Sequence, residues 1–302
     1  MPQGTCRLCN AFADLQLSHV LPAFAFRWLR ETSGTGHIRL GKEPNLRAQD
    51  GLKLNWLCVA CEGLLSKSET AFATNIFHPY SKGGRDRFTY SRWLMLFCVS
   101  VSWRVLSYYR EETSLTDYSG ELLARIAEAD RIWKDVLLGQ RPHPGAFQQH
   151  LLPLDAIKSA TGELPPNINR YLMRAIDMDL IRGGNTCFVF SKLGRFIILG
   201  FIKDDHPNHW RGTKVLAKEG FLEPRKYVVP RQFADYLSSK ARRMAELIGS
   251  VSDRQQEKID EAFWKNIGKV AESDAFKAME NDVRLFGSAA FSERRAPKAD
   301  ER

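Results

Sequence analysis

Long apolar runs are missing from this chain. The most apolar stretch lies around Trp93 to Val101, well short of the roughly 18 residues a membrane helix needs. A charged start followed by an apolar segment is missing too, so the opening Met-Pro-Gln-Gly-Thr-Cys does not read as a secretory leader. These absences predict a cytoplasmic protein with no membrane partner. Low-complexity tracts and internal repeats are lacking, and 44% of the 302 residues are hydrophobic, so wholesale disorder is excluded and a sizeable core can be buried. A concentrated block of one charge is lacking as well. The net charge is +9, yet residues 1–80 carry 8 basic against 6 acidic side chains and residues 231–302 carry 14 against 13. A basic balance favours an acidic partner such as nucleic acid, and any basic patch has to be assembled by folding.

Cysteine is scarce but organised. Four of the six cysteines form two C-x-x-C pairs, Cys6 with Cys9 and Cys58 with Cys61. Cys98 and Cys187 sit alone in apolar surroundings and read as inert core residues. In a reducing compartment, paired spacings point to metal ligands rather than disulfides. Zinc takes four thiolates in a tetrahedron, and two C-x-x-C turns supply them. The long gap between the pairs is tolerable, because loop-closure cost grows only logarithmically. A thioredoxin-like redox motif is the competing reading, but two C-x-x-C pairs within 61 residues point to one shared metal. A closed four-cysteine site is structural and leaves no open position for catalysis.

Length gives a prior of about two domains. We place them at 1–80 and 81–302 and expect an α+β protein: a zinc-bound N-terminal ββα domain, then a mainly helical region with a small antiparallel sheet. Asp14 to His19 alternates like a strand. Pro22 opens a helix to about Arg30. Residues 32–36 form a loop, residues 37–55 are polar and irregular, and Leu54 to Leu57 is a short strand before a helix from Cys61 to Phe72. Residues 81–87 form a polar linker. Helices are expected over about 90–110 and 121–138, a β-hairpin over 186–202 around Leu193-Gly194, further strands at Val215-Leu216 and Tyr227 to Val229, and amphipathic helices over 231–248 and 253–285. The last dozen residues read as a frayed tail.

The N-terminal quarter resembles the HNH endonuclease family, in a divergent zinc-stapled, treble-clef form. The strings that carry the resemblance are Cys6-Arg-Leu-Cys9, Ser18-His-Val-Leu-Pro22 and Leu57-Cys-Val-Ala-Cys-Glu62, within about residues 5–72. The resemblance implies a ββα-metal core, a metal-dependent hydrolysis of phosphodiester bonds, and a role in bacterial restriction or anti-phage defence. His19 aligns with the family's general-base histidine. An imidazole can deprotonate water, or it can simply cap the turn before Pro22. The pattern departs from the family at Ser18, where many members carry an aspartate, and at Glu62, where many carry asparagine or histidine. No histidine follows Cys61 in its helix. Glu62 and Glu69, seven residues apart and so about two turns on one helix face, are carboxylates suited to Mg²⁺ or Mn²⁺, or else solvated helix residues. Asn55 is an imperfect stand-in for the family's orienting asparagine.

Between the pairs, Arg39, Asn45, Arg47, Gln49 and Lys53, with Asp50, crowd polar side chains that suit phosphates or bases, or a solvated loop. Arg27 and Trp28 lie nearby in sequence, and His78 follows the helix. Trp103-Arg104 and Tyr108-Tyr109-Arg110 suit base stacking, or core packing with arginines whose heads reach solvent. The acids and histidines of 204–210 fit no standard metal spacing and read as a loop. The C-terminal helices suit a scaffold, a homo-oligomer surface or a partner-subunit surface. The function expected is thus an HNH-like nuclease with structural zinc and a catalytic Mg²⁺ or Mn²⁺. The alternative is an inactive zinc-stabilised module for nucleic-acid binding or complex assembly.

Overall fold

The computed structural model describes residues 1–33, 35–40, 43–83, 85–160, 162–204, 207–224 and 227–291. Within them, the chain runs β1 (Gln3–Thr5), β2 (Phe12–His19), α1 (Ala23–Glu31), β3 (Ile38–Leu40), β4 (Glu43–Ala48), β5 (Lys53–Cys58) and α2 (Val59–Phe72). A π-turn (Ala73–Phe77) carries α2 into α3 (His78–Ser81), followed by β6 (Phe88–Tyr90), α4 (Arg92–Glu112), α5 (Gly120–Leu137), β7 (Gln149–Pro153) and α6 (Ile168–Arg174). Then come β8 (Ile176–Gly183), β9 (Thr186–Leu193), β10 (Phe196–Lys203), β11 (Gly220–Leu222), α7 (Arg231–Gly249), α8 (Asp253–Lys265), α9 (Ile267–Val270) and α10 (Asp274–Phe286). The protein mixes helices with small antiparallel sheets. None of its described helices is long and apolar enough to cross a membrane.

Contacts divide the chain into two compact units, each built from three segments. The first holds residues 1–24, 51–153 and 176–229, and the second holds 25–50, 154–175 and 230–302. The boundary placed at residue 80 from sequence falls inside the first unit.

In the first unit, β1, β2 and β5 form a three-stranded antiparallel sheet. Gln16 faces Leu57 and Leu17 faces Asn55, so Trp56 is an extra residue, a bulge in β5. Burial along β2 changes phase at the same point: Leu15 is buried, Leu17 is 59% exposed and Ser18 is buried again. A second antiparallel sheet has the order β7-β10-β9-β8. Helix α4 is apolar on nearly every side from Leu94 to Ser107 because it is surrounded, touching α2, α5 and this sheet. Phe72 of α2 stacks on Phe97 of α4 with centroids 4.1 Å apart, and Phe24, Phe77 and Phe196 complete an aromatic core. Gly200 of β10 passes close to α4: a Cβ there would lie 2.5 Å from the Ser102 hydroxyl and 2.9 Å from the Trp133 ring.

In the second unit, Ile168, Tyr171 and Leu172 of α6 pack with Ala241 of α7, and Leu237, Met244 and Phe286 close around them. The carboxylate of Asp282, fully buried on α10, accepts hydrogen bonds from the backbone N–H groups of Asn169 and Arg170 and from the Arg170 guanidinium. It thereby satisfies donors at the start of α6 that have no partner within the helix. Arg174 lies 4.5 Å over the Trp28 ring and donates to the Leu29 carbonyl.

Several local expectations need correction. Among the described residues of 37–55, the expected irregular stretch is replaced by β3 and β4, which pair antiparallel. Ile38-Arg39-Leu40 and Glu43 to Ala48 do alternate apolar with polar residues, but both runs are short and Pro44-Asn45 reads as a turn. Strand β8 and helix α6 lie in stretches where the sequence pattern predicts no element. Val215-Leu216 and Tyr227 to Val229 are not strands; Val215 instead donates its backbone N–H to the Gln149 carbonyl. The segment 253–285 is broken twice, and at the second break the Ser273 hydroxyl caps α10 by accepting from the Phe276 N–H. Asp205, His206 and the expected tail beyond residue 291 lie outside the described residues.

Candidate metal centre and flanking polar site

Cys6 and Cys9 sit on the turn between β1 and β2. Asn10 takes a positive φ of 62° there, and the Asn10 N–H donates to the Cys6 carbonyl at 2.9 Å. Cys58 ends β5 and Cys61 lies in the first turn of α2. The pairing of Leu15 with Cys58 brings the two knuckles together. All four sulfurs lie within 4.8 Å of one another, and Cys9 Sγ is 3.8 Å from Cys58 Sγ. A disulfide needs about 2.05 Å. By contrast, a tetrahedron with Zn–S bonds of about 2.3 Å has edges of about 3.8 Å. The spacing therefore fits a metal and excludes a disulfide.

The electrostatics agree. Burial raises the Cys6 pKa, but hydrogen bonds from the backbone of Cys9, Cys58 and Leu8, and from the Cys9 thiol, outweigh it and bring Cys6 down to about 7. Cys61 is pushed up by burial and then by the three neighbouring cysteines, and Cys9 is pushed up chiefly by burial. Four thiolates cannot share this space without a compensating cation. A divalent ion that prefers sulfur supplies one. Cys98 and Cys187 are buried elsewhere in the fold, and burial pushes the Cys187 thiol up to about 12.

Next to the knuckles, Ser18 is buried and its hydroxyl donates to the Glu62 carboxylate at 2.6 Å. This bond joins the end of β2 to the start of α2. His19 is half-buried at the last position of β2, facing Lys53 of β5. Glu69 forms an ion pair with Arg104 of α4, whose guanidinium also donates to the His19 carbonyl at 2.9 Å. Asn55 is exposed opposite the exposed Leu17, while the adjacent Ser18 is buried toward Glu62. Strand alternation puts Asn55 on the other face of the sheet from Ser18. Among the described residues, the four cysteines are the group of three or more His, Cys, Asp or Glu side chains that can hold one ion. His19, Glu62 and Glu69 do not meet as a second such group.

No family model, curated protein or solved structure matches this chain.

The polar residues between the cysteine pairs fare differently from one another. Asn45 accepts the Ser252 N–H at 2.8 Å, at the start of α8, and Gln49 accepts from Arg30. Arg39 and Arg47 face each other across the β3–β4 hairpin. Lys53 belongs to the first unit, on β5. Trp28 is buried under Arg174, Arg27 is exposed, and His78 lies edge-on to Phe24 and Phe77. A cavity of about 550 Å³ in the second unit is lined by Arg30, Ser33 and Asp274 among others, and holds none of the candidate residues.

Arg104 is the polar residue whose setting local pattern misjudges. Its head does not reach solvent: the residue is 2% exposed. The available signal was its position in the middle of a helix with no polar stripe, where a guanidinium must find partners inside.

Proposed function

We propose that this chain is a zinc-stapled, HNH-like nuclease that hydrolyses phosphodiester bonds in nucleic acid. The observation that carries the reading is the thiol cluster. It ties the β1–β2 turn to the β5–α2 junction, so a strand ending in His19 and a helix bearing Glu62 share one fixed point. The Ser18–Glu62 hydrogen bond reinforces that junction. The β1–β2 turn and the β5–α2 junction carry the thiols, with α1, β3 and β4 inserted between β2 and β5, an arrangement compatible with a treble-clef ββα core. Cys6, Cys9, Cys58 and Cys61 hold zinc, which does no chemistry because its sphere is closed. His19 is the general base for an attacking water. Glu62 is the carboxylate left for a Mg²⁺ or Mn²⁺ ion, since Glu69 is taken by Arg104 and such ions need only one or two carboxylates plus waters. When bound, that ion supplies charge stabilisation to the phosphate and the leaving oxygen. The resemblance to HNH proteins extends the proposal to bacterial restriction or anti-phage defence.

One observation favours a second reading. The Glu69 carboxylate is engaged in an ion pair within the fold, as expected of a module that kept its zinc and lost its catalysis. Such a module would bind nucleic acid or assemble a complex.

Two measurements separate the readings. Elemental analysis of the purified chain is expected to find one zinc, lost in Cys58→Ser with Cys61→Ser. Plasmid and single-strand cleavage with Mg²⁺ or Mn²⁺ is expected to fall roughly 10²- to 10⁴-fold in His19→Ala. Equal cleavage by both proteins removes His19 from the mechanism. A wild type that binds nucleic acid without cutting it supports the second reading.

A further inference from the structure

The β3–β4 register sets Arg39 directly opposite Arg47. Like charges in that position repel each other and weaken a strand pair. His37 lies in the same cluster, with its Nε2 3.5 Å from Arg47 Nη1. Arg39 commits one N–H to the Pro44 carbonyl, at 2.5 Å. Among the described residues, neither arginine has a carboxylate partner. Burial and then Arg47 lower the Arg39 pKa, while burial and then both arginines lower that of His37. No carboxylate offsets these effects. Two guanidinium groups thus start from facing positions on one side of the hairpin with no carboxylate between them, where an anion would relieve their repulsion. Asn45 and Gln49, the neighbouring polar residues, are already engaged inside the protein. The hairpin therefore presents a charge cluster rather than a general polar surface.

We propose that Arg39 and Arg47 clamp one backbone phosphate of a nucleic acid, with His37 buttressing Arg47. The proposal rests on the nucleic-acid reading above and assigns it a contact. A phosphodiester presents two non-bridging oxygens, which match paired guanidinium groups, and the +9 charge of the chain favours a polyanion. A clamp of this kind positions the backbone and carries no sequence information.

The test uses the full zinc-loaded chain and fluorescence anisotropy on labelled duplex DNA, single-stranded DNA and RNA, without added Mg²⁺ or Mn²⁺. Arg39→Gln with Arg47→Gln is expected to bind roughly ten-fold more weakly, and its log–log salt slope is expected to be shallower by about one. Arg242→Gln with Arg243→Gln removes the same charge from exposed positions of α7 and is expected to stay within about two-fold of wild type. Arg47→Gln alone, at an exposed position, serves if the double variant does not fold. Equal binding by the clamp and control variants overturns the proposal. So does a wild type that binds none of the three nucleic acids, or one displaced by poly-glutamate as readily as by nucleic acid. Cleavage is scored separately: a wild type that binds through the clamp but never cuts refutes the nuclease reading and leaves the clamp standing.

Discussion

Replacing Arg104 by methionine tests how the end of β2 is held. The arginine side chain is 3% exposed and that of Glu69 is 19% exposed, so the pair is largely screened from water. Arg104 also holds the His19 carbonyl at 2.9 Å and approaches the Ser100 carbonyl at 3.4 Å. Removing one member of a buried pair leaves the other charge uncompensated, at a cost of about 3–5 kcal/mol. The abandoned His19 carbonyl belongs to the same loss, so no separate sum is added. Against a total stability of about 5–15 kcal/mol, this is a large fraction. Urea unfolding is the assay: the midpoint is expected to drop with little change in slope. Adding Glu69→Gln removes the orphaned charge and is expected to recover at least about 1 kcal/mol. If the single variant unfolds within about 1 kcal/mol of wild type, or if the second substitution recovers nothing, the pair does not hold this junction. In the nuclease assay the same variant is expected to lose more activity than its folded fraction explains, because His19 loses its anchor.

Two more outcomes are expected from packing and burial. Burial, and then the charge of Lys214, hold His150 down to about 4, against about 6.5 when unfolded. The unfolded chain therefore takes up the proton first. The stability present above pH 6.5 is lost as pH falls toward 4, by about 3 kcal/mol; His150→Gln is expected to flatten that part of a melting-temperature profile, and an unchanged acid limb refutes it. Gly200→Ala is expected to cost about 1–3 kcal/mol, because its methyl would meet Ser102 at 2.5 Å. An unaltered urea midpoint in that variant means α4 and β10 are not packed this closely.

The local order of the chain determined much that folding then used. The two C-x-x-C spacings alone named all four members of the thiol cluster, since a knuckle is a local turn and its ligands lie within it. The positions of β2, β5, α2, α4, α5 and the β9–β10 hairpin come from the local residue pattern: an apolar face in most, and in α4 and the hairpin, which are buried on every side, an apolar run. Tertiary structure decided what no local pattern encodes. It paired β3 with β4 and set Arg39 against Arg47, a matter of register between strands. It buried Arg104 and paired Glu69 with it, because an ion pair between α2 and α4 depends on how two helices meet, 35 residues apart in the chain. It also put Asn55 on the face away from Ser18, where strand alternation next to a single extra residue, Trp56, governs direction. Short-range spacing placed the metal ligands. Long-range packing decided which of the neighbouring polar side chains are left to act.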